Sequence, residues 1–400
     1  MVPAAQTLQA MKGMKILRSG RNRRKWIYVL LLMGLLGLSG CGSPSSASVE
    51  MSSQTELVKT GSMELQYAEN FAVDYYEDGY KMLTTLPDSK RYLLVPEGQP
   101  VPQGLDEDVS ILQEPLQNIY LVASGVMDMF ASLDAVGQIR FSGQKQENWY
   151  IQTAKDAMAA GDMIYAGKYS KPDYELLVSE GCDLAIENRM ITHSPEVVEM
   201  LQSFDIPVMI EYSSYEQHPL GKVEWVKFFG ALTGKEAKAE EAFAEQTEIL
   251  EEVESGEKTG KTIAFFYVTS NGLIQVRQST DYIPKLIELA GGRYIFENLE
   301  DSGSGRSTLN MQVEDFYAGA KDADILIYNS SIDGGVTTVD ELIDKCNILK
   351  DFKAVQEGQV YCTTNDMYQQ SMAIGYLLQD MHTVLTDDDT AKLRYLFLLQ

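Results

Sequence analysis

Short apolar runs alternate with amphipathic stretches along two long parts of the chain. The first part contains the following runs: Ile119 to Val122, Val126 to Leu133, Ile139 to Phe141, Trp149 to Ala159, Tyr174 to Val178, Asp183 to Glu187, Pro195 to Leu201 and Pro207 to Glu211. The second contains Thr262 to Val268, Tyr282 to Ala290, Val313 to Ala318, Ala323 to Asn329, Val339 to Cys346, Gln359 to Thr363 and Ser371 to Leu385. Strands that alternate with helices are typical of βαβ units. The pattern predicts two Rossmann-like α/β lobes with mostly parallel sheets, residues 63–218 and 256–400.

Residues 219–255, between the predicted lobes, have the periodicity of a helix. Pro219 suits a first helical turn, and apolar residues follow helical spacing on both sides of Gly234. We expect a nearly continuous helix of roughly thirty residues that joins the lobes. Because a long helix is a stiff connection, the lobes should open and close only slightly.

The N-terminal residues 1–40 have the features of a signal peptide. Six basic residues between Lys15 and Lys25 precede the apolar run Trp26 to Leu38, which is short for a membrane span. Leu38-Ser39-Gly40-Cys41 resembles the bacterial lipobox, in which the cysteine thiol is lipidated before cleavage. We therefore expect export and anchoring to the cell membrane through Cys41. The alternative is an uncleaved signal anchor in which Cys41 is incidental.

Composition after Cys41 predicts a tether and an acidic body. Residues 41–62 begin as Ser-rich polar sequence, which has little apolar surface to bury. The formal charge is −25, and residues 1–40 carry seven Lys or Arg and no acid, so the mature form carries −32. Because of this negative charge, nucleic acid is a poor partner. An acidic surface also repels anionic lipids, so the acyl chain rather than a basic patch should attach the protein to the membrane.

Residues with the chemistry of catalytic or metal sites are sparse. Three cysteines follow Cys41; Cys182 and Cys362 lie beside apolar segments and are expected to be buried, and no disulfide pair among them and Cys346 can be chosen. The three histidines are far apart in sequence, which argues against a bare zinc or manganese site. No P-loop, nucleophile elbow, HExxH or paired CxxC motif occurs. We predict no enzyme activity, cofactor or resident metal.

Several segments together resemble one known family, the helical-backbone class of ABC-transporter solute-binding proteins. The similar segments are Asn118 to Gly137, Tyr165 to Leu177, Gly181 to Ile186, Phe228 to Ala239, Leu286 to Gly292 and Phe352 to Tyr361. That family, of class III periplasmic-binding-protein-like fold, includes receptors for ferric siderophores, haem and cobalamin. The resemblance implies a monomeric, extracytoplasmic receptor that delivers a small molecule, such as a metal chelate, to a permease and ATPase complex.

Two glutamates match the positions at which this family docks onto its permease. Glu175 and Glu314 each begin a predicted helix, one in each lobe. Separated carboxylates that meet permease arginines would set the orientation of the complex. The alternative is that both are ordinary solvated residues in a chain with 58 acids.

Open α/β sheets place ligands at the carboxyl ends of their strands, so we expect a site between the lobes. The candidate ligand-binding residues in these loops are Tyr169, Arg189, Tyr212, Ser270, Asn271, Arg277, Tyr282, Asn329 and Tyr368. Arg189 and Arg277 could bind a carboxylate, phosphate or anionic chelate through bidentate hydrogen bonds, or could form surface ion pairs.

The expected cargo is a ferric siderophore or other iron chelate. A corrinoid or haem ranks second, and an oxyanion such as molybdate ranks third. Two hypotheses come from other classes of protein. One is a surface enzyme, although the sequence contains no recognisable set of catalytic residues. The other is a structural lipoprotein without a ligand, which predicts a filled cleft.

Overall fold

The computed structural model describes residues 57–299, 307–332, 335–386 and 390–400. The first folded unit is a five-stranded sheet of neighbours in sequence order, β1 (Lys59–Ser62), β2 (Phe71–Tyr76), β3 (Lys81–Thr85), β4 (Lys90–Val95) and β5 (Val109–Gln113). The first four strands pair antiparallel, and β4 pairs with β5 in parallel. Short connections between the antiparallel strands, such as the turn at Asp78 and Gly79 with positive φ, make hairpins and leave no room for a crossover helix.

This sheet differs from two expectations. The segment before residue 114 was expected to belong to the first α/β lobe, but it forms this separate sheet. The predicted tether was expected to extend to residue 62, but β1 already pairs with β2 from Lys59 onward. Pairing with a distant strand decides the structure of this polar segment, and that pairing is not visible in its local composition.

The first α/β lobe follows the predicted alternation. Its elements are β6 (Ile119–Leu121), α1 (Val126–Ser132), β7 (Ile139–Ser142), α2 (Gln152–Ala160), β8 (Ile164–Tyr165), β9 (Gly167–Lys168), β10 (Lys171–Pro172), α3 (Tyr174–Ser179), β11 (Leu184–Asn188), α4 (Pro195–Ser203) and β12 (Val208–Glu211). The sheet has the order β12-β11-β6-β7-β8, and all its neighbours pair in parallel. Its strands therefore end at one common edge, while β9 and β10 form a separate small hairpin.

Two helices follow, α5 (Pro219–Thr233) and α6 (Glu236–Glu254), where one nearly continuous helix was expected. The expectation fails at Gly234, whose φ of 69° is left-handed and ends α5, with its N–H donated to the Gly230 carbonyl. The helices then fold back on each other as an antiparallel hairpin. Lys227 pairs with Glu240 at 3.0 Å, and Gly230 lies against Ala239.

The second lobe combines parallel and antiparallel pairs. Its elements are β13 (Thr262–Val268), β14 (Ile274–Arg277), α7 (Tyr282–Leu289), β15 (Arg293–Tyr294), β16 (Thr308–Met311), α8 (Val313–Ala320), β17 (Ile325–Tyr328), α9 (Val339–Lys345), α10 (Lys353–Gln356), β18 (Val360–Thr363), α11 (Ile374–Thr386) and β19 (Leu396–Leu398). The sheet order is β16-β14-β13-β17-β18-β19, with β15 also beside β13. The central strands β13, β17 and β18 are parallel, and strands β14, β16 and β19 are antiparallel to their neighbours.

One hydrophobic core runs through the first sheet, the inner faces of both lobe sheets and the helices between them. Helix α5 lies within it and is buried on all sides from Pro219 to Leu232. Smaller clusters cover the outer faces of the three sheets. The burial of α5 places each charged side chain on it inside the protein.

Candidate ligand cleft

The carboxyl ends of β6, β11 and β12 meet around a cavity of about 260 Å³, which we call the charged cavity. Ala123, Ser124 and Gly125 line it from the loop after β6. The remaining lining residues are Asn188, Arg189, Met190, Glu211, Ser213, Ser214, Tyr215, Lys222, Tyr368 and Ser371. Tyr368 and Ser371 come from the second lobe, between β18 and α11. The cavity therefore lies between the lobes, at the edge where parallel α/β sheets bind ligands.

A second cavity, of about 310 Å³, adjoins the first and shares Ser124 and Tyr368 with it. We call it the amide cavity, because four of its other lining residues carry side-chain amides: Gln144, Asn148, Asn365 and Gln369. Glu147 and Tyr150 complete the lining. The cleft thus has a charged part and a mainly neutral polar part, with Tyr368 between them.

A buried hydrogen-bond network fixes the position of Tyr368. Its hydroxyl accepts hydrogen bonds from the Arg277 guanidinium and, at 2.7 Å, from Asn329 Nδ2. Arg277 also pairs with Asp281, with 3.3 Å between Nη1 and Oδ2. Burial raises the pKa of Tyr368 to about 12, so the side chain is a neutral phenol at physiological pH. The ring is held as a fixed wall between the two cavities.

Glu211 and Lys222 bring opposite charges to the wall of the charged cavity. The Glu211 carboxylate accepts hydrogen bonds from the Ser213 N–H at 2.9 Å and the Ser213 hydroxyl at 2.5 Å. The Lys222 ammonium lies 4.7 Å from the centre of the Tyr282 ring, a cation–π contact. Burial lowers the pKa of Lys222 and raises that of Glu211.

The lobes touch on one side of the cleft. Gln369 accepts the Tyr150 N–H at 2.9 Å and donates to the Asn148 carbonyl at 2.8 Å. The Asp128 carboxylate accepts the Met372 N–H at 2.7 Å, and burial raises its pKa to about 6. These contacts hold the segment that carries Tyr368 against the first lobe.

Comparison with known proteins identifies the family. The model of the periplasmic binding protein family matches residues 125–367, more than half of the chain. The chain belongs to the periplasmic binding protein family. The match begins after the five-stranded sheet, which is therefore an addition to the part of this binding protein that the family model describes.

Curated relatives of this binding protein come from Methanocaldococcus jannaschii. The protein named uncharacterized lipoprotein MJ0878 is 24% identical over 394 residues, covering 90% of this chain and 92% of the relative. Uncharacterized lipoprotein MJ0872 is 23% identical, covering 86% and 90%.

Solved structures share the fold of this binding protein. A possible iron-binding periplasmic solute-binding protein of Staphylococcus epidermidis superposes with a TM-score of 0.53 at 17% identity, covering 67% of this chain and 98% of that one. The haem-binding protein HutB of Vibrio cholerae gives 0.54 at 14%, with 67% and 98% covered. The catecholate-siderophore-binding protein VctP of Vibrio cholerae gives 0.53 at 12%, with 68% and 94% covered.

The predicted ligand-binding residues fall into three groups. Arg189 and Tyr368 line the charged cavity, and the Arg189 guanidinium stacks on Tyr215 at 4.5 Å. Arg277, Tyr282 and Asn329 lie directly behind it. The Arg277 guanidinium, which was expected to face a ligand or a surface partner, instead contacts Asp281 and Tyr368 in the interior.

The other four predicted residues lie outside both cavities. Tyr169 packs against the outer cluster of the first lobe, and Tyr212 lies in the main core, where burial raises its pKa. Ser270 and Asn271 are exposed at the turn between β13 and β14. Side-chain direction at the end of each strand depends on packing that the sequence does not state.

The remaining predicted sites are at the surface or outside the described residues. Glu175 and Glu314 are exposed in the first turns of α3 and α8. Cys41 and the signal peptide lie outside the described residues. Among those that are described, Cys346 and Cys362 are buried, Cys182 is half-buried and none of the three forms a disulfide.

None of the described helices has the length and apolar character needed to cross a membrane. No group of three or more His, Cys, Asp or Glu side chains within the described ranges is arranged to hold a metal ion.

Sequence reasoning missed Lys222, Glu211 and Ser371. The signal for Lys222 was present in part, because it is one of three charged residues, with Glu224 and Lys227, in a helix that is mostly apolar. The missing information was that α5 is buried on all sides, so that its polar positions also face the interior.

Proposed function

We propose that this binding protein captures a ferric chelate outside the cell membrane and delivers it to an ABC importer. The observation that carries the proposal is the divided cleft between the lobes, whose lining comes from the strand ends of one lobe and from Tyr368 and Ser371 of the other. A ligand in this cleft contacts both lobes, and so its binding stabilises one arrangement of them for the permease.

The named neighbours support an iron-containing cargo. They include a possible iron-binding protein, a haem-binding protein and a catecholate-siderophore-binding protein. The two cavities together provide room for a chelate of moderate size. We rank a ferric siderophore before haem and cobalamin. The open space in the cleft also disfavours a purely structural lipoprotein, for which a filled cleft was expected.

Attachment to the membrane is part of the proposal. The lipobox-like residues Leu38 to Cys41 and the relatives named lipoproteins support a lipid on Cys41. Glu175 and Glu314, exposed on different lobes, are the proposed contacts with the permease.

A thermal-shift screen tests the cargo. The mature chain with Cys41→Ser, which cannot be lipidated, is mixed with ferric siderophores, haem, cobalamin and molybdate. A true cargo at a hundred times its Kd should stabilise the folded state by about 2.7 kcal/mol, so the Tm rises with ligand concentration. We expect this rise with a ferric siderophore. A rise with only haem, cobalamin or molybdate would contradict the proposed cargo.

A further inference from the structure

Helix α5 carries three buried charged side chains, and two of them are satisfied by the protein itself. Lys227 pairs with Glu224 at 3.4 Å and with Glu240 at 3.0 Å. The Glu224 carboxylate also accepts the backbone N–H groups of Tyr67 and Ala68, each at 2.8 Å. These contacts offset the cost of removing both charges from water.

Lys222 is as buried as Lys227, with 4% of each residue exposed. Yet within the part of the chain that the structure describes, its ammonium makes no hydrogen bond and no ion pair. The Glu211 and Asp281 carboxylates attract the ammonium electrostatically, but they make their hydrogen bonds elsewhere, Glu211 with Ser213 and Asp281 with Arg277. The Tyr282 ring, at 4.7 Å, compensates only part of the desolvation cost. Lys222 therefore presents an ammonium with unused hydrogen-bond donors to the charged cavity that it lines.

Ser371 is a second unsatisfied group in the same cavity. Its hydroxyl is buried and has no hydrogen-bond partner among the described residues. Ser371 belongs to the second lobe and Lys222 to the helix after the first, so the two groups approach the cavity from different sides. Buried polar groups without partners are rare in folded proteins, and each of these can donate a hydrogen bond.

We propose that the charged cavity is a subsite for an anionic oxygen group, which Lys222 and Ser371 bind directly and Arg189 faces from the rim. This inference rests on the proposed function, because it states which part of the cargo the cleft recognises. A carboxylate or inorganic oxyanion supplies a negative charge to pair with Lys222 and oxygen atoms that accept hydrogen bonds from both Lys222 and Ser371. A cargo without such a group would leave the Lys222 charge buried and unpaired.

The size of the cavity allows two sources for that oxygen group. A volume of about 260 Å³ holds a small inorganic oxyanion alone. It also holds one anionic arm of a larger ferric chelate, whose neutral part would pass Tyr368 into the amide cavity. The chemistry at Lys222 is the same in both cases, and the occupancy of the amide cavity differs.

The stability of the ligand-free protein gives the first test, and Lys227 provides the matched control. Lys222→Met removes a buried charge that has no hydrogen bond or ion pair among the described residues and whose desolvation outweighs its attraction to Glu211 and Asp281, so we expect the Tm to rise. Lys227→Met, on the same helix and equally buried, leaves the buried Glu224 carboxylate without its ion-pair partner and should lower the Tm. A fall with Lys222→Met as large as that with Lys227→Met would overturn the inference, because it would show that the protein itself satisfies Lys222.

Calorimetric titration of the same variants gives the second test. The probes are molybdate, ferric citrate, which has anionic carboxylates, and ferrioxamine B, a ferric hydroxamate without an anionic arm. We expect wild type to bind at least one anionic probe, Lys222→Met to weaken that binding about 10- to 100-fold, and Lys222→Arg to retain part of it. Binding of molybdate supports the inorganic source, and binding of ferric citrate without molybdate supports the chelate arm.

The outcomes separate this inference from the proposed function. Binding of ferrioxamine B that Lys222→Met leaves unchanged would overturn the subsite and leave the iron-chelate receptor intact. Binding of molybdate that depends on Lys222, with no ferric complex bound, would overturn the proposed cargo and support the subsite. Absence of binding by any anionic probe would overturn the subsite.

Discussion

At the scale of single residues, Glu187 shows how a strand can bury a charge-bearing group. On β11, Ile186 faces the main core and Ala185 the outer cluster, so Glu187 alternates to the outer side. Helices α3 and α4 cover that side, and Glu187 is fully buried with both carboxyl oxygens lacking a hydrogen-bond partner among the described residues. Burial raises its pKa to about 8. The side chain is therefore protonated in the folded protein at neutral pH.

The raised pKa of Glu187 predicts a pH-dependent stability. Between its ordinary pKa of 4.5 and the folded value of about 8, the folded protein holds a proton that the unfolded chain has released. The free energy of unfolding therefore falls as pH rises through this window, by on the order of a few kcal/mol. Glu187→Gln keeps the shape without the titration, so its Tm should exceed that of wild type at pH 8 and match it near pH 4.5.

Thermal unfolding measured at several pH values checks this expectation. Glu175→Gln, at an exposed glutamate of the same lobe, is the control and should leave the pH profile unchanged. If Glu187→Gln retains the full pH dependence of wild type, then Glu187 does not carry the proton assigned to it.

At the scale of elements, the α5–α6 hairpin replaces the single connecting helix that periodicity suggested. The turn at Gly234 brings α6 back along α5, and Gly230 allows the two backbones to approach closely. The five-stranded sheet adds to this unit, because the loop between β1 and β2 is held by Glu224 and Glu216 near α5. The connection between the lobes is a packed helical layer rather than an isolated rod.

Packing at Gly230 predicts a specific loss of stability. A Cβ at this position would lie 2.6 Å from the Ala239 Cβ, so Gly230→Ala forces the helices apart. Such overpacking costs about 1–3 kcal/mol in the free energy of unfolding. Adding Ala239→Gly should recover part of the loss, measured by denaturant unfolding. Gly137→Ala, where a Cβ meets nothing within 4 Å, is the control, and an equal loss there would contradict the packing explanation.

At the scale of the whole molecule, one core joins the first sheet, both lobes and the helical layer. The lobes also meet through Gln369 and Asp128 beside the cleft. Large independent movements of the lobes would break these contacts.

Charge reversal tests the proposed docking surface. Glu175→Arg combined with Glu314→Arg places like charges against permease arginines, so we expect transport to fall about tenfold or more. Because both residues are exposed and away from the cleft, the Kd for cargo should not change. Uptake by cells that carry the importer, together with titration of the purified protein, separates the two effects. Glu199→Arg, at another exposed helical position, is the control. Unchanged uptake in the double variant would refute the docking role.

The sequence by itself determined the central strands and the main helices of the two α/β lobes, because their periodicity is local, but strands β14, β15, β16 and β19 were not among the predicted runs. Thr262–Val268 is a strand with the predicted bounds. Helices α3 and α8, which carry Glu175 and Glu314, begin at the first residues of the predicted helical runs. The expectation of a cleft at the carboxyl ends of the strands followed from the general rule for open α/β sheets. Each of these features depends on residues within one or two turns or on a general rule of α/β topology.

Only the tertiary structure decided the sheet before residue 114, the helical hairpin and the side chains that meet in the cleft. Lys222 and Lys227 lie five residues apart on one helix, and nothing local distinguishes them. Lys227 meets Glu240 because α6 folds back, whereas Lys222 meets a cavity whose far wall comes from residues near Tyr368. Burial and pairing are properties of residues brought together from distant parts of the chain, so the chemistry of the cleft emerged only when the lobes, the hairpin and the strand ends were in place.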